Sequence, residues 1–253
     1  MIEAVIFDWA GTTVDYGCFA PVQAFLDTFN EKGISVTMAE VREPMGMLKR
    51  AHIATMLEMP RINAEFQEKF GRNFNDEDVD GILEVFTAKL MAELSEGTQL
   101  KPFLLETVEM LREKGIKIGT TTGYTADMLA PVAKRAAELG YNPDATFTPD
   151  DTDGIGRPKP FMVEKNLEVL GVKDKANVIK IGDTISDIEE GKNAGVRSFG
   201  VIEGSSVMSL SEAEYNALSD EEKAVKIAET KEVFLKAGAD EVLLNLSELV
   251  NFI

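Results

Sequence analysis

Several residue classes are scarce in this chain, and each scarcity removes a class of function. Cys18 is the only cysteine among 253 residues, so no intramolecular disulfide can form and an apolar core must hold the fold. Lys and Arg number 26 against 44 Asp and Glu, giving a net charge of −18. That balance opposes a nucleic-acid or anionic-membrane surface, so no partner of either kind is expected. A small anionic substrate must then be held by a local cluster of positive charge. No apolar run approaches the length of a transmembrane helix, and the opening MIEAVIFD lacks the basic region of a signal peptide. The expected location is the cytoplasm. His52 is the sole histidine. There is no internal repeat and no low-complexity tract.

What is abundant is apolar residue, at 44% of the chain, enough to fill one large core or a core with a smaller insertion. Short apolar runs recur at Ala4 to Phe7, Ile116 to Thr121, Ala145 to Thr148, Val178 to Ile181 and Ser198 to Ile202, with Glu241 to Leu244 as a possible edge strand. Each is followed by small or acidic residues and then by helical spacing. That alternation predicts an α/β fold, a Rossmann-like parallel sheet covered by helices. Some ninety residues between the first two runs are too many for one crossover helix, which predicts an inserted helical subdomain. The expected division is a core of residues 1–17 and 101–253 and an insertion of residues 18–100. Within the insertion Val22, Phe25, Leu26 and Phe29 share one helical face, and Gly33 should end that helix. Ser211 to Lys236 reads as an acidic helix opened by a Ser211/Glu214 capping box, a solvated decoration.

In open α/β sheets ligands bind beyond the carboxyl ends of the strands, so the residues after each run carry the chemistry. Asp8-Trp9-Ala10-Gly11-Thr12-Thr13-Val14-Asp15 follows the first run, a carboxylate entering a tight turn that can aim N–H groups at phosphate oxygens. Thr120-Thr121-Thr122-Gly123 follows the second and offers a hydroxyl and a helix start. Gly156-Arg157-Pro158-Lys159-Pro160 brings a cation ahead of a helix whose start the prolines favour. Gly182-Asp183-Thr184-Ile185-Ser186-Asp187 supplies two carboxylates suited to a hard divalent cation.

These four pieces, in this order, resemble the haloacid dehalogenase superfamily, and the helical insertion stands where that superfamily carries a cap. The resemblance implies that Asp8 is a nucleophile forming an aspartyl-phosphate. It implies that Asp8, Asp183 and the Ala10 carbonyl bind Mg2+, with Asp187 supporting them, and that Thr122 holds a phosphate oxygen. Arg157 replaces the commoner lysine, its planar fork being able to grip two oxygens. Lys159 is a rival for that role.

Ala10 departs from the phosphatase pattern, which places an acid two residues after the nucleophile to protonate the leaving oxygen. The insertion offers another kind of help. In Pro44-Met45-Gly46-Met47-Leu48-Lys49-Arg50-Ala51-His52, the residues Met45, Lys49 and His52 are spaced i, i+4 and i+7 and should project from one helical face. With Asp-Trp-Ala-Gly-Thr-Thr, this segment resembles the phosphonatase branch of the superfamily, in which a cap lysine forms a Schiff base. The match extends through Val14 to Cys18, Thr121 to Thr125 and Thr148 to Asp151. It implies cleavage of the phosphorus–carbon bond of phosphonoacetaldehyde to acetaldehyde and phosphate, with Lys49, Met45 and His52 catalytic. Gly46, Gly123, Cys18 and Tyr124 would lie near the substrate. It also implies a homodimer through the cap, for which the Val22 stripe is a candidate. His52 could relay protons, because an unperturbed imidazole titrates in the physiological range. The alternatives are a magnesium-dependent phosphatase or phosphotransferase acting on a phosphate ester, a hydrolytic dehalogenase, and a non-catalytic phosphate-binding protein. Lys159, Phe161 and the wholly acidic surface are the mild departures from the pattern.

Overall fold

A computed structural model describes the backbone of all 253 residues and every side chain except those of residues 95–97. Six parallel strands form one sheet: β1 (Ala4–Phe7), β2 (Lys117–Thr121), β3 (Ala145–Phe147), β4 (Val178–Gly182), β5 (Arg197–Val201) and β6 (Glu241–Leu243). Their spatial order is β3-β2-β1-β4-β5-β6, so β1 is central and the order reverses beside it. Register follows the buried pattern: Val5 lies between Ile118 and Ile179, and Phe7 between Thr120 and Ile181. Val5 and Phe7 enter one apolar cluster and Ala4 and Ile6 another, so alternate side chains feed opposite faces. Both faces are covered, which is why the strand reads as a continuous apolar run rather than an alternating one.

Between β1 and β2 lie α1 (Phe19–Glu31), α2 (Met38–Arg42), α3 (Lys49–Glu58), α4 (Pro60–Phe70), α5 (Asp76–Gly97) and α6 (Leu104–Glu113). The first five form the insertion, and α6 packs on β2. Helix α1 starts where the Asp15 carboxylate accepts from the Phe19 and Ala20 N–H groups at 3.2 and 3.3 Å. It ends before Gly33 at φ +69°, a conformation glycine adopts without steric cost. Capping boxes of Thr37 with Glu40 and Asn75 with Asp78 set the starts of α2 and α5. Val22, Phe25 and Phe29 are fully buried and Leu26 partly so, all within one chain, and each buried Phe contributes about 1.5–3 kcal/mol of burial. That stripe is therefore packed inside the insertion, not presented to a second subunit.

The remaining helices are α7 (Ala126–Glu138), α8 (Phe161–Val169), α9 (Ile185–Ala194), α10 (Glu212–Ala217) and α11 (Asp220–Lys236). The segment read as a single acidic helix is two, because Ser219 opens a second capping box with Glu222 just after α10. Nor is it mere decoration: Phe234 is fully buried, and a Cβ on Gly200 of β5 would come within 2.6 Å of its ring. The two crossings between sheet and insertion run side by side, with Val14 bridged to Leu100, Lys101 N donating to Thr13 O (2.9 Å) and Asp15 N to Gln99 O (3.2 Å). No described helix is long and apolar enough to cross a membrane.

Candidate active site

The site lies where β1, β2 and β4 end, beside the reversal of strand order. Asp8 follows β1 directly, its N–H bonded to Ile181 O at 2.9 Å, and the next turn wraps around one carbonyl. The amides of Thr12, Thr13 and Val14 all donate to Trp9 O, at 3.2, 2.8 and 3.1 Å. Gly11 sits at φ +90°, and a Cβ there would fall 2.0 Å from Asp183 Oδ2, so only glycine fits between the turn after β1 and that carboxylate. Asp183 Oδ2 accepts from Ser206 N at 2.7 Å and Oδ1 from Thr12 Oγ1 at 3.4 Å.

Behind these groups lies a buried ionic network. Arg157 Nη1 lies 2.7 Å from Asp8 Oδ1 and 2.9 Å from Asp187 Oδ1, Nε donates to Glu190 Oε2 at 2.9 Å, and Nη2 donates to Thr121 Oγ1 at 2.6 Å. Lys180 Nζ reaches Asp187 Oδ1 at 2.5 Å and Glu190 Oε2 at 3.6 Å. Burial opposes the charge on Arg157, but Asp187, Asp8 and Glu190 outweigh it and raise its pKa. Burial raises the Asp8 pKa, helped by Asp187 and opposed by Arg157 and Lys180. Asp183 is pushed up by burial and by the charges of Asp8 and Asp187. Asp187 goes the other way, because Arg157 and Lys180 overcome its burial.

The Arg157 fork is thus not free, as the sequence pattern suggested, to grip two substrate oxygens. All its nitrogens face protein acceptors, since a buried guanidinium must satisfy its donors locally. Lys159, its rival, is exposed and outside the site.

Carboxylate oxygens of Asp8, Asp183 and Asp187 lie within 4.8 Å of one another, a cluster that could hold a metal ion. The donor set fits a hard divalent cation, being all oxygen and carrying two carboxyls, Asp8 and Asp183, whose ionisation the surroundings oppose. Asp187 already accepts from Lys180, Arg157 and Thr184 Oγ1 (2.6 Å), so it braces the cluster.

From the insertion, Met45, Gly46 and Lys49 close over Asp8, Ala10, Thr122, Gly123, Tyr124, Arg157 and Asp183 to wall one cavity of about 270 Å³, its open mouth included. The contact is intimate: a Cβ on Gly123 would lie 2.6 Å from Met47 O, and one on Gly46 2.3 Å from Thr184 Oγ1. Lys49 is buried, its Nζ 4.0 Å from Met45 Sδ, 5.2 Å from the centre of the Tyr124 ring and 5.7 Å from that of Phe25. Burial lowers its pKa, with Cys18 and Asp8 opposing. Cys18 and Tyr124 also wall the cavity, and burial drives both of their pKa values well up, so each is a neutral group there. Thr122 Oγ1 accepts from Tyr124 N at 3.1 Å.

Two expectations about the cap segment need correction. Helix α3 begins at Lys49, so Met45 is not on the same helix as Lys49 and His52. Gly46 at φ +88° turns the chain instead, and the turn brings Met45 to the amine. His52 does not wall the cavity; it stacks on Phe25 with ring centroids 4.0 Å apart, and Phe25 stacks on Phe86 at the same separation. Burial and the charge of Lys49 push the His52 pKa well below its ordinary value, so it does not titrate in the physiological range.

Sequence reasoning missed Lys180 and Glu190. A lysine inside the buried run Val178 to Gly182 was the available signal, since a lysine in a strand covered on both faces must find a buried partner.

A family model for haloacid dehalogenase-like hydrolases matches residues 2–195. The chain is 49% identical to phosphonoacetaldehyde hydrolase of Lysinibacillus sphaericus over 255 residues, covering 100% of this chain and 95% of that one. The chain belongs to the phosphonoacetaldehyde hydrolase family. The Parabacteroides distasonis phosphonoacetaldehyde hydrolase is 48% identical, over 98% of this chain and 94% of its own. The crystal structure of a phosphonoacetaldehyde hydrolase-like protein from Oleispira antarctica superposes with a TM-score of 0.96 at 37% identity, covering 99% and 90% of the two chains. Ala10 and the buried Lys49 line the same cavity.

Proposed function

We propose that the protein hydrolyses the phosphorus–carbon bond of phosphonoacetaldehyde, giving acetaldehyde and phosphate, through a Lys49 Schiff base and an Asp8 aspartyl-phosphate. The observation that carries this reading is that the buried Lys49 amine and the Asp8 carboxylate wall the same small cavity. The names of relatives identical at 48–49% over their full length point to the same substrate.

Lys49, its pKa lowered by burial, gives up a proton and attacks the aldehyde carbonyl as a neutral amine, and return of that proton as the adduct expels water leaves the protonated imine. His52 lies one helical turn away on the same helix, with the Val41 backbone facing its ring, and burial and the charge of Lys49 keep it neutral. A neutral imidazole so placed supplies a proton acceptor for the amine. Asp8 then attacks phosphorus. The electron pair of the phosphorus–carbon bond becomes the carbon–carbon double bond and the π pair of the imine moves to nitrogen, leaving an enamine, so no acid at position 10 has to protonate an oxygen. Protonation of the enamine at carbon and hydrolysis of the imine release acetaldehyde and Lys49, while water displaces phosphate from Asp8. Met45, Cys18 and Tyr124 shield the amine; Thr122, Gly46 and Gly123 bound the phosphonate.

Asp8, Asp183 and the Ala10 carbonyl would hold Mg2+, with Asp187 behind them. Such an ion supplies the positive charge that offsets repulsion between a carboxylate and an anionic phosphoryl group. Arg157, 2.7 Å from Asp8 Oδ1, holds that carboxylate in place.

A homodimer through the cap would have to use a surface other than the buried Val22 stripe, such as that around the exposed Met38 or Phe70. The deciding experiment measures phosphate release from phosphonoacetaldehyde with and without magnesium, alongside borohydride trapping of Lys49. Turnover of sugar phosphates with none of the phosphonate would instead establish a phosphatase.

A further inference from the structure

The turn after β5, residues 203–206, touches both chain crossings, the insertion and one of the clustered carboxylates. Gly17 N, in the first crossing, donates to Gly204 O at 2.8 Å. Lys101 Nζ, in the second, donates to Glu203 O and to Gly11 O, the latter at 2.6 Å. Ser206 N donates to Asp183 Oδ2 at 2.7 Å. The insertion reaches the same turn through the last residue of α2: Arg42 Nη1 donates to Ser206 O at 3.2 Å and to Gly17 O at 2.9 Å. Its guanidinium lies 4.9 Å over the Phe19 ring.

Arg42 stands seven residues before Lys49, and the chain between them lies against the core loops at Gly46 and Met47. The segment that delivers the amine is thus pinned to the core at its start by one guanidinium and farther along by close backbone packing. Arg42 Nε and Nη2 are buried without partners among the described residues, so a need to satisfy its own donors does not explain its position.

We propose that Arg42 is a positioning residue that latches the insertion over the core, holding the Lys49 segment and the Ser206–Asp183 contact in register. The proposal rests on the Lys49 and Asp8 reading above. An imine needs Lys49 and its proton acceptor His52, both carried by the insertion, whereas phosphoryl transfer needs both halves aligned. Losing the latch should therefore spare imine formation and impair turnover, because small misplacements of reacting groups cost about 100-fold in rate.

The test compares wild type, Arg42→Met, which keeps the stem over Phe19, and Arg42→Lys, which restores a donor. Phosphate release, borohydride trapping at Lys49 and thermal melting are measured on each intact protein. The expected result is a roughly 100-fold fall in kcat/KM for Arg42→Met, saturating trapping still at Lys49, and recovery of most of the loss in Arg42→Lys. Turnover of Arg42→Met within about twofold of wild type overturns the latch. So does a loss matched by a collapsed melting temperature that Arg42→Lys does not recover. If wild type traps nothing at Lys49 while turnover across the Arg42 series still falls in Arg42→Met and recovers in Arg42→Lys, the imine reading fails and the latch stands.

Discussion

The two halves of the site treat charge in opposite ways. On the sheet side, Asp8, Asp187 and Glu190 are buried against Arg157 and Lys180, and pairing outweighs burial at Asp187 while it only moderates the raised pKa values of Asp8 and Glu190. On the insertion side, Lys49 lies among Met45, Phe25 and Tyr124, and burial works against its charge. Pairing suits a group that must remain anionic and still. Desolvation suits an amine that must be neutral in order to attack. The comparison teaches that one small cavity joins a desolvated amine, carried by an apolar segment of the insertion, to a charge-paired network at the strand ends.

The largest expected effect separates the halves outright. Asp8→Asn should reduce phosphate release by about 10⁴-fold or more while borohydride still labels Lys49 in the presence of substrate. Lys49→Arg should abolish both signals with an unchanged circular dichroism spectrum; label appearing elsewhere would break the assignment. His52→Phe, which keeps the stack on Phe25, should slow turnover by about 10²- to 10³-fold. In wild type the acid limb of His52-dependent activity should lie below pH ~6.5, because the lowered pKa keeps the imidazole a base at lower pH than an ordinary one. An inflection at the ordinary histidine value would place the relay elsewhere.

The paired half is probed by stability. Lys180→Met strips a partner from Asp187 and Glu190 and should cost about 3–5 kcal/mol in urea denaturation. An unchanged midpoint would show the network to be dispensable to the fold. The smallest effect concerns the desolvated half. Trapping rate against pH should inflect below the ordinary lysine value of about 10.4, since the unprotonated amine reacts and burial favours it. Phe25→Ala should admit water and move that inflection upward; no movement would mean that Phe25 does not set the local environment.

Much of the core was readable because its constraints are local. A run such as Ala4 to Phe7 must be buried on both faces, and Asp8 and Asp183 directly follow strand ends, with Asp187 in the first turn of the helix after β4. The Ser211 capping box was legible for the same reason, but Ser219 opening a second helix was overlooked although it uses the same chemistry. Helical spacing misled at Met45, where a glycine turn rather than a continuous helix brings sulfur to amine. It misled again at His52, whose place on the Lys49 helix says nothing about which face Phe25 covers.

By itself, then, the sequence determined the sheet, the order of the four strand-end motifs and the residue types available for phosphoryl and imine chemistry, because these depend on neighbours along the chain. Only the tertiary structure decided that Arg157 spends its donors on protein carboxylates, that Lys180 and Glu190 complete a buried network, and that Arg42 ties the insertion to the turn after β5. Those outcomes join residues 7 to 164 positions apart, and no local pattern encodes which partner a buried charge will meet.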